Sequence, residues 1–218
     1  KAREGYAQAR AASAAALRLQ PELAMAHAAR GVLLLNADMD WAAAESEISR
    51  ALRLAPNQSE VKSSLGMVLA AQGRLSQAIA LTRQAIASDP LHATGYTAVA
   101  GYLAALGQLD AAERAIIKAI ELQPEAGWER VQLVIIRIQR GDADGARAAA
   151  AQVHEEGGWQ EVAQAFLQQV GGDPVAADAA LDVLIRTQAD LSAFQIAQVH
   201  ALRAEPDKVF EWLDRAWD

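Results

Sequence analysis

The sequence predicts an all-α fold, a solenoid of stacked antiparallel helix pairs, and three observations lead to this prediction. First, 52 of the 218 residues are Ala, the strongest helix former. Second, prolines recur at spacings of 35, 34 and 34 residues, at Pro21, Pro56, Pro90 and Pro124. Third, each period contains two helical patterns. Because proline cannot continue a helix, each of these prolines marks the end of a helix pair.

The period that ends at Pro124 shows both helical patterns, with Gly107 between them. Apolar residues recur at intervals of three and four, which places them on one face of each helix. These faces consist of Tyr96, Val99, Ala100 and Leu103 in the first helix, and Ala112, Ile116 and Ala119 in the second.

Earlier periods repeat the same pattern. Gly73 takes the place of Gly107, and the Asp38-Met39-Asp40 turn is one residue longer, which accounts for the spacing of 35. The chain begins with a second helix and with Lys1. This start within a repeat predicts a fragment of a longer protein, or a processed chain.

Small residues recur at fixed positions of the repeat. One position of the first helix holds a Gly or Ala, and two positions of the second helix hold Ala. We expect the two helices to approach most closely there, so that a larger side chain would cost about 1–3 kcal/mol. The residues are Gly31, Gly66 and Ala100, then Ala44, Ala78 and Ala112, and finally Ala51, Ala85 and Ala119.

These features together resemble the tetratricopeptide repeat (TPR). The Trp that often stands in the first helix of that family is replaced by His27, Lys62 and Tyr96. The resemblance implies a right-handed superhelical solenoid whose first helices line a concave face.

The resemblance is strongest over residues 1–126, which we predict to be regular repeats that start within a repeat. Residues 127–218 are predicted to be divergent helix pairs that continue the same solenoid. Their helices are expected at about 127–140, 143–155, 159–170, 174–187, 191–204 and 206–217. Because Arg130 and Arg137 stand where the pattern needs apolar residues, the first of these helices is expected to be rotated. The β-branched run 131–136 is assigned to that helix, since a lone strand would have no pairing partner.

A narrower resemblance concerns the ends of the array. The turn at 38–41 and the closing helices at 194–200 and 210–217 resemble one group of bacterial TPR regions. Such regions often follow a cyclase-like or winged-helix signalling domain. This resemblance implies a piece of a larger bacterial signalling or regulatory protein. A cytoplasmic location is expected, which the absence of Cys fits.

Composition excludes several classes of function. Without Cys there is no disulfide scaffold and no Cys-based metal site. The net charge is −7 and the basic residues are spread singly, so nucleic acid is not expected as a partner. The sequence has no apolar stretch long enough to span a membrane, so no membrane partner is expected either.

The motif search predicts no catalytic, cofactor or metal site, and therefore no enzyme. The four His, at positions 27, 92, 154 and 200, are far apart and are interpreted as surface or packing residues. The acidic pairs at 38/40 and 142/144 are interpreted as helix caps. The glycine pairs at 157–158 and 171–172 match no phosphate loop and are interpreted as helix C-caps.

The resemblance also implies a partner-binding groove along the first helices. Its predicted lining is small, apolar and weakly polar, and its Met side chains can adapt to different partners. Ala28 and Leu35 are also expected to line it. In chaperone-binding TPR domains, the positions of Ala28, Val32, Ser63 and Met67 clamp a carboxylate. Because none of these four side chains carries a positive charge, no such clamp is expected here. The predicted groove residues are Met25, Val32, Asn36, Glu60, Ser63, Met67, Thr94, Thr97 and Gly101.

The function expected from this groove is non-catalytic protein interaction with an apolar or helical segment. That segment belongs to another protein, to the same polypeptide or to a second copy. Three alternatives remain open: a homodimerisation device that uses Trp212, Trp217 or the groove, a small-ligand sensor or enzyme domain, and a spacer whose groove is simply solvated. The Trp residues also have a simpler interpretation, as fillers of gaps between irregular repeats.

Overall fold

The computed structural model describes residues 2–154 and 156–217, and within these ranges it is all-helical, without a strand. The all-α prediction of consecutive helix pairs is therefore confirmed. A short 3₁₀ turn, Glu156–Gly158, precedes α10. The helices are α1 (Ala2–Leu19), α2 (Ala24–Asn36), α3 (Trp41–Leu54), α4 (Ser59–Ala71), α5 (Leu75–Ser88), α6 (Ala93–Ala105), α7 (Leu109–Leu122), α8 (Gly127–Gln139), α9 (Ala143–Ala150), α10 (Trp159–Gln168), α11 (Pro174–Gln188), α12 (Ala193–Leu202) and α13 (Pro206–Trp217).

The chain forms two compact units, Lys1–Gln108 and Leu109–Asp218. In the first unit each helix packs on the next one in sequence, and α2 also contacts α4, as α4 contacts α6. The first helices of the repeats therefore form one continuous layer. In the second unit, α8, α10 and α12 form the corresponding layer. The predicted change from regular to divergent repeats at residue 126 stays a prediction, as does the handedness of the superhelix.

The first helices end in a shared hydrogen-bonding pattern that fixes the register between repeats. Gly73, Gly107 and Gly141 have left-handed φ angles of 76°, 71° and 75°. The residue after each glycine donates its backbone N–H to the helical carbonyl five residues earlier, as in a Schellman C-cap. These bonds join Arg74 to Leu69, Gln108 to Leu103, Asp142 to Arg137 and Glu205 to His200, at 2.8–3.1 Å.

Three of the second helices begin at an aspartate cap. Asp40, Asp142 and Asp173 each accept a hydrogen bond of 2.9 Å from a backbone N–H in the first turn. Such a cap satisfies a donor that the helix itself leaves unpaired. The interpretation of the acidic pairs as capping residues is thus confirmed for one member of each pair.

The expected points of closest approach are confirmed. All six of the Ala residues that recur in the second helices are completely buried. A Cβ at Gly31 would overlap Ile48 Cγ1 and lie 2.9 Å from Ile48 Cδ1. A Cβ at Gly66 would lie 2.5 Å from Thr82 Oγ1. Glycine is therefore needed at these two positions because the neighbouring helix leaves no room for a side chain, and not because the backbone adopts an unusual conformation.

The expected rotation of α8 stays a prediction. The carbonyl of Arg137 takes part in the same C-cap as those of Leu69 and Leu103, so α8 ends at the same position of the repeat as α4 and α6. The half-buried guanidinium of Arg137 donates to Glu113 Oε1 at 2.8 Å and to the carbonyl of Gly145 at 2.9 Å. These two partners satisfy the charged group at a position where the repeat pattern needs an apolar residue.

Two boundaries differ from the sequence prediction. Helix α9 ends at Ala150, well before residue 155. Gly157 and Gly158 do not end a helix but lie in the 3₁₀ turn, both with φ near 78°, and Gly158 is the N-cap of α10. Gly172, with φ 78°, follows the end of α10, as expected for a helix terminus.

Candidate functional site

The candidate groove lies on the first-helix layer of the first unit, on α2, α4 and α6. Because successive first helices contact one another directly, their outward side chains form one surface. Each helix contributes three of the nine predicted residues. They are Met25, Val32 and Asn36 on α2, then Glu60, Ser63 and Met67 on α4, and Thr94, Thr97 and Gly101 on α6.

The structure leaves all nine positions accessible. Met25 and Met67 are 45 % and 37 % exposed, which is high for large apolar side chains, and Val32 is half-buried. The remaining six are exposed or half-buried. A Cβ added at Gly101 would meet nothing within 4 Å, so space is open in front of α6. The surface offers three apolar anchors beside small residues, with room for a bound chain.

Two residues that were expected to line the groove do not. Ala28 and Leu35 are buried in the core cluster of the first unit, together with Ile48 and Val61. The face of α2 that remains accessible is therefore narrower than the sequence pattern indicates. Met25, Val32 and Asn36 define it.

A polar edge runs along the N-terminal ends of α4 and α6. His92 Nε2 lies 2.9 Å from Ser63 Oγ and 3.4 Å from Thr94 Oγ1. Glu60 accepts a hydrogen bond of 3.1 Å from Ser59 Oγ. The pKa of Glu60 is held below its usual value, chiefly by the hydrogen bond from its own backbone amide and then by that of Ser59. Sequence reasoning missed the part of His92, which only the fold brings beside Ser63.

His27 and Arg130 occupy the position at which the TPR family often has Trp. His27 Nε2 lies 2.9 Å from the carbonyl of Pro21, and Arg130 Nη2 donates to the carbonyl of Pro124 at 2.9 Å. His27 Nδ1 also lies 2.7 Å from Glu47 Oε2. In both repeats a polar side chain thus ties the first helix to the preceding proline turn, a structural role.

The second unit contains an open, polar pocket of about 420 Å³ between the turns that follow α10 and α12. Three of its charged residues bind one another. Arg203 donates to Asp178 and, at 3.0 Å, to Glu205 Oε1, and these hydrogen bonds raise the pKa of Arg203. The pKa of Glu205 is lowered, chiefly by its hydrogen bond with His200 and then by that with Arg203. His200 Nδ1 lies 2.6 Å from Glu205 Oε2 and completes the network. The arrangement joins α11 to α12, while His200 Nε2 and Arg203 Nη1 are buried without a hydrogen-bond partner.

The Trp residues divide into two groups. Trp128 and Trp159 pack with their rings tilted by 46° and their centroids 5.8 Å apart, and a Cβ at Gly127 would collide with Trp159. This pair fills the junction of α8 and α10, which favours the gap-filling interpretation there. Trp212 is buried, whereas Trp41 and Trp217 are exposed.

No group of three or more potential metal ligands occurs within residues 2–154 and 156–217. No helix in these same ranges is long and apolar enough to cross a membrane.

Comparison with known proteins identifies the fold. PilF of Pseudomonas aeruginosa is 20 % identical, with 91 % of this chain and 90 % of that chain covered and a TM-score of 0.67. PilW, a widely conserved type IV pilus biogenesis factor, is 19 % identical, with 84 % and 86 % covered and a TM-score of 0.72. TTC0263, a thermophilic TPR protein of Thermus thermophilus, is 20 % identical, with 86 % and 99 % covered and a TM-score of 0.68.

No family profile and no curated protein matches the sequence. Identities of 19–20 % establish a common fold and do not transfer an activity or a partner. On this basis the chain has the all-α solenoid fold of the tetratricopeptide repeat proteins.

Proposed function

We propose that this chain is a non-catalytic protein-interaction module that binds an apolar or helical segment along α2, α4 and α6. The observation that supports the proposal is the exposure of Met25 and Met67 on one layer of directly contacting helices. Large apolar side chains held open on a rigid scaffold are typical of a surface that gains free energy by being covered. The open space at Gly101 adds room for the bound chain.

The groove chemistry defines the kind of segment. Met25, Val32 and Met67 provide apolar contacts that suit Leu, Ile, Phe or Met on one face of a helix. The carboxylate of Glu60 stands at the N-terminal edge of α4 and, like any exposed Glu, is charged at neutral pH. A Lys or Arg beside the apolar residues of the ligand would pair with it.

The narrower sequence resemblance adds a context to this proposal. We place the module within a larger bacterial signalling or regulatory protein of the cytoplasm, where the groove would receive a segment of a partner or of the same polypeptide. Support for a non-catalytic role comes from the charged pocket of the second unit, where Arg203 is paired with both Asp178 and Glu205.

A displayed library of helical peptides tests the proposal. Peptides selected on the 218-residue chain should carry apolar residues at i, i+3 or i+4, and i+7. Their affinity should fall at least tenfold with Met67→Glu, because a carboxylate would be buried against the apolar face of the ligand. Leu19→Glu is the matched control, since Leu19 is exposed and lies outside the groove.

Two results would refute the proposal. One is a set of selected peptides whose binding is as strong to Met67→Glu as to the Leu19→Glu control. The other is a chain that dimerises in light scattering and loses the dimer with Met67→Glu, which would assign the groove to self-association.

A further inference from the structure

The last helix, α13, has one packed face and one open face. Trp212 is buried on the packed face, and the guanidinium of Arg215 lies 4.9 Å from its ring centroid. On the open face Phe210 and Trp217 are 66 % and 53 % exposed. They are seven residues apart, so they lie one above the other on the helix. We call the surface formed by Phe210, Trp217 and the half-buried Leu213 the α13 outer face.

The register of the repeats shows what this surface corresponds to. Second helices are aligned by their first backbone hydrogen bond, such as Ala44 to Asp40, Ala177 to Asp173 and Val209 to Glu205. In this alignment Phe210 corresponds to Glu45, Ile79, Glu113, Arg147 and Asp178, and Trp217 corresponds to Leu52, Ile86, Ile120 and Ile185. The shorter α9 ends before the second position.

In three earlier repeats, those of α5, α7 and α11, one of these two positions contacts the next first helix. A Cβ at Gly95 in α6 would lie 3.1 Å from Ile86 Cγ1. Glu113 of α7 accepts a hydrogen bond from Arg137 of α8, and Asp178 of α11 accepts one from Arg203 at the end of α12. The α13 outer face is therefore the continuation of an interface that the chain forms repeatedly within each unit.

Charge indicates which helix fits there. At the junction of α7 and α8, Asp110 forms a 2.9 Å ion pair with Arg140, just beyond the end of α8. Asp207 holds the position of Asp110 in α13. Neither Asp207 nor the nearby Asp214 forms an ion pair with any residue in the described part of the chain. The α13 outer face is thus bordered by two carboxylates, Asp207 and Asp214, that have no ion-pair partner among the described residues.

We propose that the α13 outer face binds an amphipathic helix with Arg or Lys in its last turn, seated where a further first helix of the array would lie. The cation would pair with Asp207 as Arg140 pairs with Asp110. A second copy of α13 fits less well, because it would bring the same acidic border against Asp207 and Asp214. This surface is separate from the groove on α2, α4 and α6, and the inference does not depend on the proposed function.

Two synthetic peptides test this inference on the 218-residue chain. Both are capped 16-residue helices with Leu and Ala on one face. One ends in Arg-x-x-Arg, and the matched control ends in Glu-x-x-Glu. We expect the Arg peptide to bind at least tenfold more tightly at low salt, and the difference to shrink at 0.5 M salt as the charges are screened. Binding should also shift the fluorescence of Trp217, which Trp217→Phe would remove.

Variants of the chain separate this face from other exposed apolar residues. Phe210→Ala should weaken binding of the Arg peptide about tenfold, whereas Val175→Ala, at an exposed position of α11, should leave it unchanged. Met67→Glu should leave binding of the Arg peptide unchanged, because Met67 lies in the groove on α2, α4 and α6.

The inference is wrong if both peptides bind equally, or if Phe210→Ala binds the Arg peptide as the unaltered chain does. It is also wrong if the chain alone is a dimer that Phe210→Ala converts to a monomer, since a second copy would then be the occupant. Circular dichroism of Phe210→Ala verifies that its helix content is retained, so that lost binding is not lost folding.

Discussion

Gly31→Ala should destabilise the protein although alanine is the better helix former. In an open helical position this change is favourable by about 0.8–1.0 kcal/mol. At Gly31, however, the new Cβ would overlap Ile48 Cγ1 and lie 3.2 Å from the carbonyl oxygen of Ala44. Ile48 is completely buried, so it can move aside only by disturbing the core.

Overfilling of a packed core costs about 1–3 kcal/mol, and contact at this branched, enclosed side chain belongs in the upper part of that range. After the gain in helix propensity, we expect a net loss of about 1–2 kcal/mol. Gly101→Ala is the matched control on another first helix. A Cβ there meets nothing within 4 Å, so this variant should be more stable by about 0.5–1 kcal/mol.

Urea unfolding followed by circular dichroism at 222 nm measures both changes. The reasoning is refuted if Gly31→Ala is as stable as the unaltered chain, or if Gly101→Ala loses as much stability as Gly31→Ala. A double-mutant cycle with Ile48→Ala is a sharper test, because it removes the clashing atoms. In that background Gly31→Ala should become neutral or favourable, and an unchanged penalty would place its cause elsewhere.

Three further predictions concern helix ends and pH. Ala204 has a left-handed φ of 56° where three earlier repeats have Gly73, Gly107 and Gly141, so Ala204→Gly should raise stability by up to about 1 kcal/mol; a lower thermal midpoint would contradict this. Asp142→Ala removes the hydrogen bond to Gly145 and should cost about 1 kcal/mol in urea unfolding, and no loss would show that the cap is dispensable. The hydrogen bond from His200 lowers the pKa of Glu205 in the folded protein. The stabilisation that the ionised Glu205 provides should therefore be present above its usual pKa near 4.5, and it should be lost as the pH falls through the lower pKa of the folded state. Glu205→Gln should lose less stability on acidification than the unaltered chain, and identical acid profiles would refute this.

Much of the fold follows from local rules that the sequence displays. Pro21, Pro56 and Pro90 end helix pairs because proline cannot continue a helix, and Gly73 and Gly107 adopt the left-handed conformation that a Schellman cap needs. These features act over a few residues, so their effect is legible without knowledge of the rest of the chain.

Features that depend on distant partners were less predictable. Nothing in the local pattern shows that Glu113 and the carbonyl of Gly145 would satisfy Arg137 at a position expected to be apolar. Ala28 and Leu35 were assigned to the groove because they follow the spacing of its lining, yet both face the core. Whether a residue at the edge of a helical face is buried depends on the crossing angle of the neighbouring helix, and the sequence repeat does not determine that angle.

The candidate site shows the same division. The pattern placed Met25 and Met67 on first helices, and the structure leaves both exposed. The approach of His92 to Ser63 arises from two successive repeats and has no sequence signature. The α13 outer face was visible in sequence only as Trp217 and a nearby Phe210. Its correspondence to positions of the earlier second helices emerges only when the repeats are aligned by their backbone hydrogen bonds.

The central claim is that the accessible face of α2, α4 and α6 binds a segment of another polypeptide. Backbone amide NMR shifts of the labelled chain, recorded while a selected helical peptide is added, test it most directly. The account predicts the largest changes at Val32, Met67 and Gly101. Changes confined to α3 and α5, with those three amides unmoved, would contradict it.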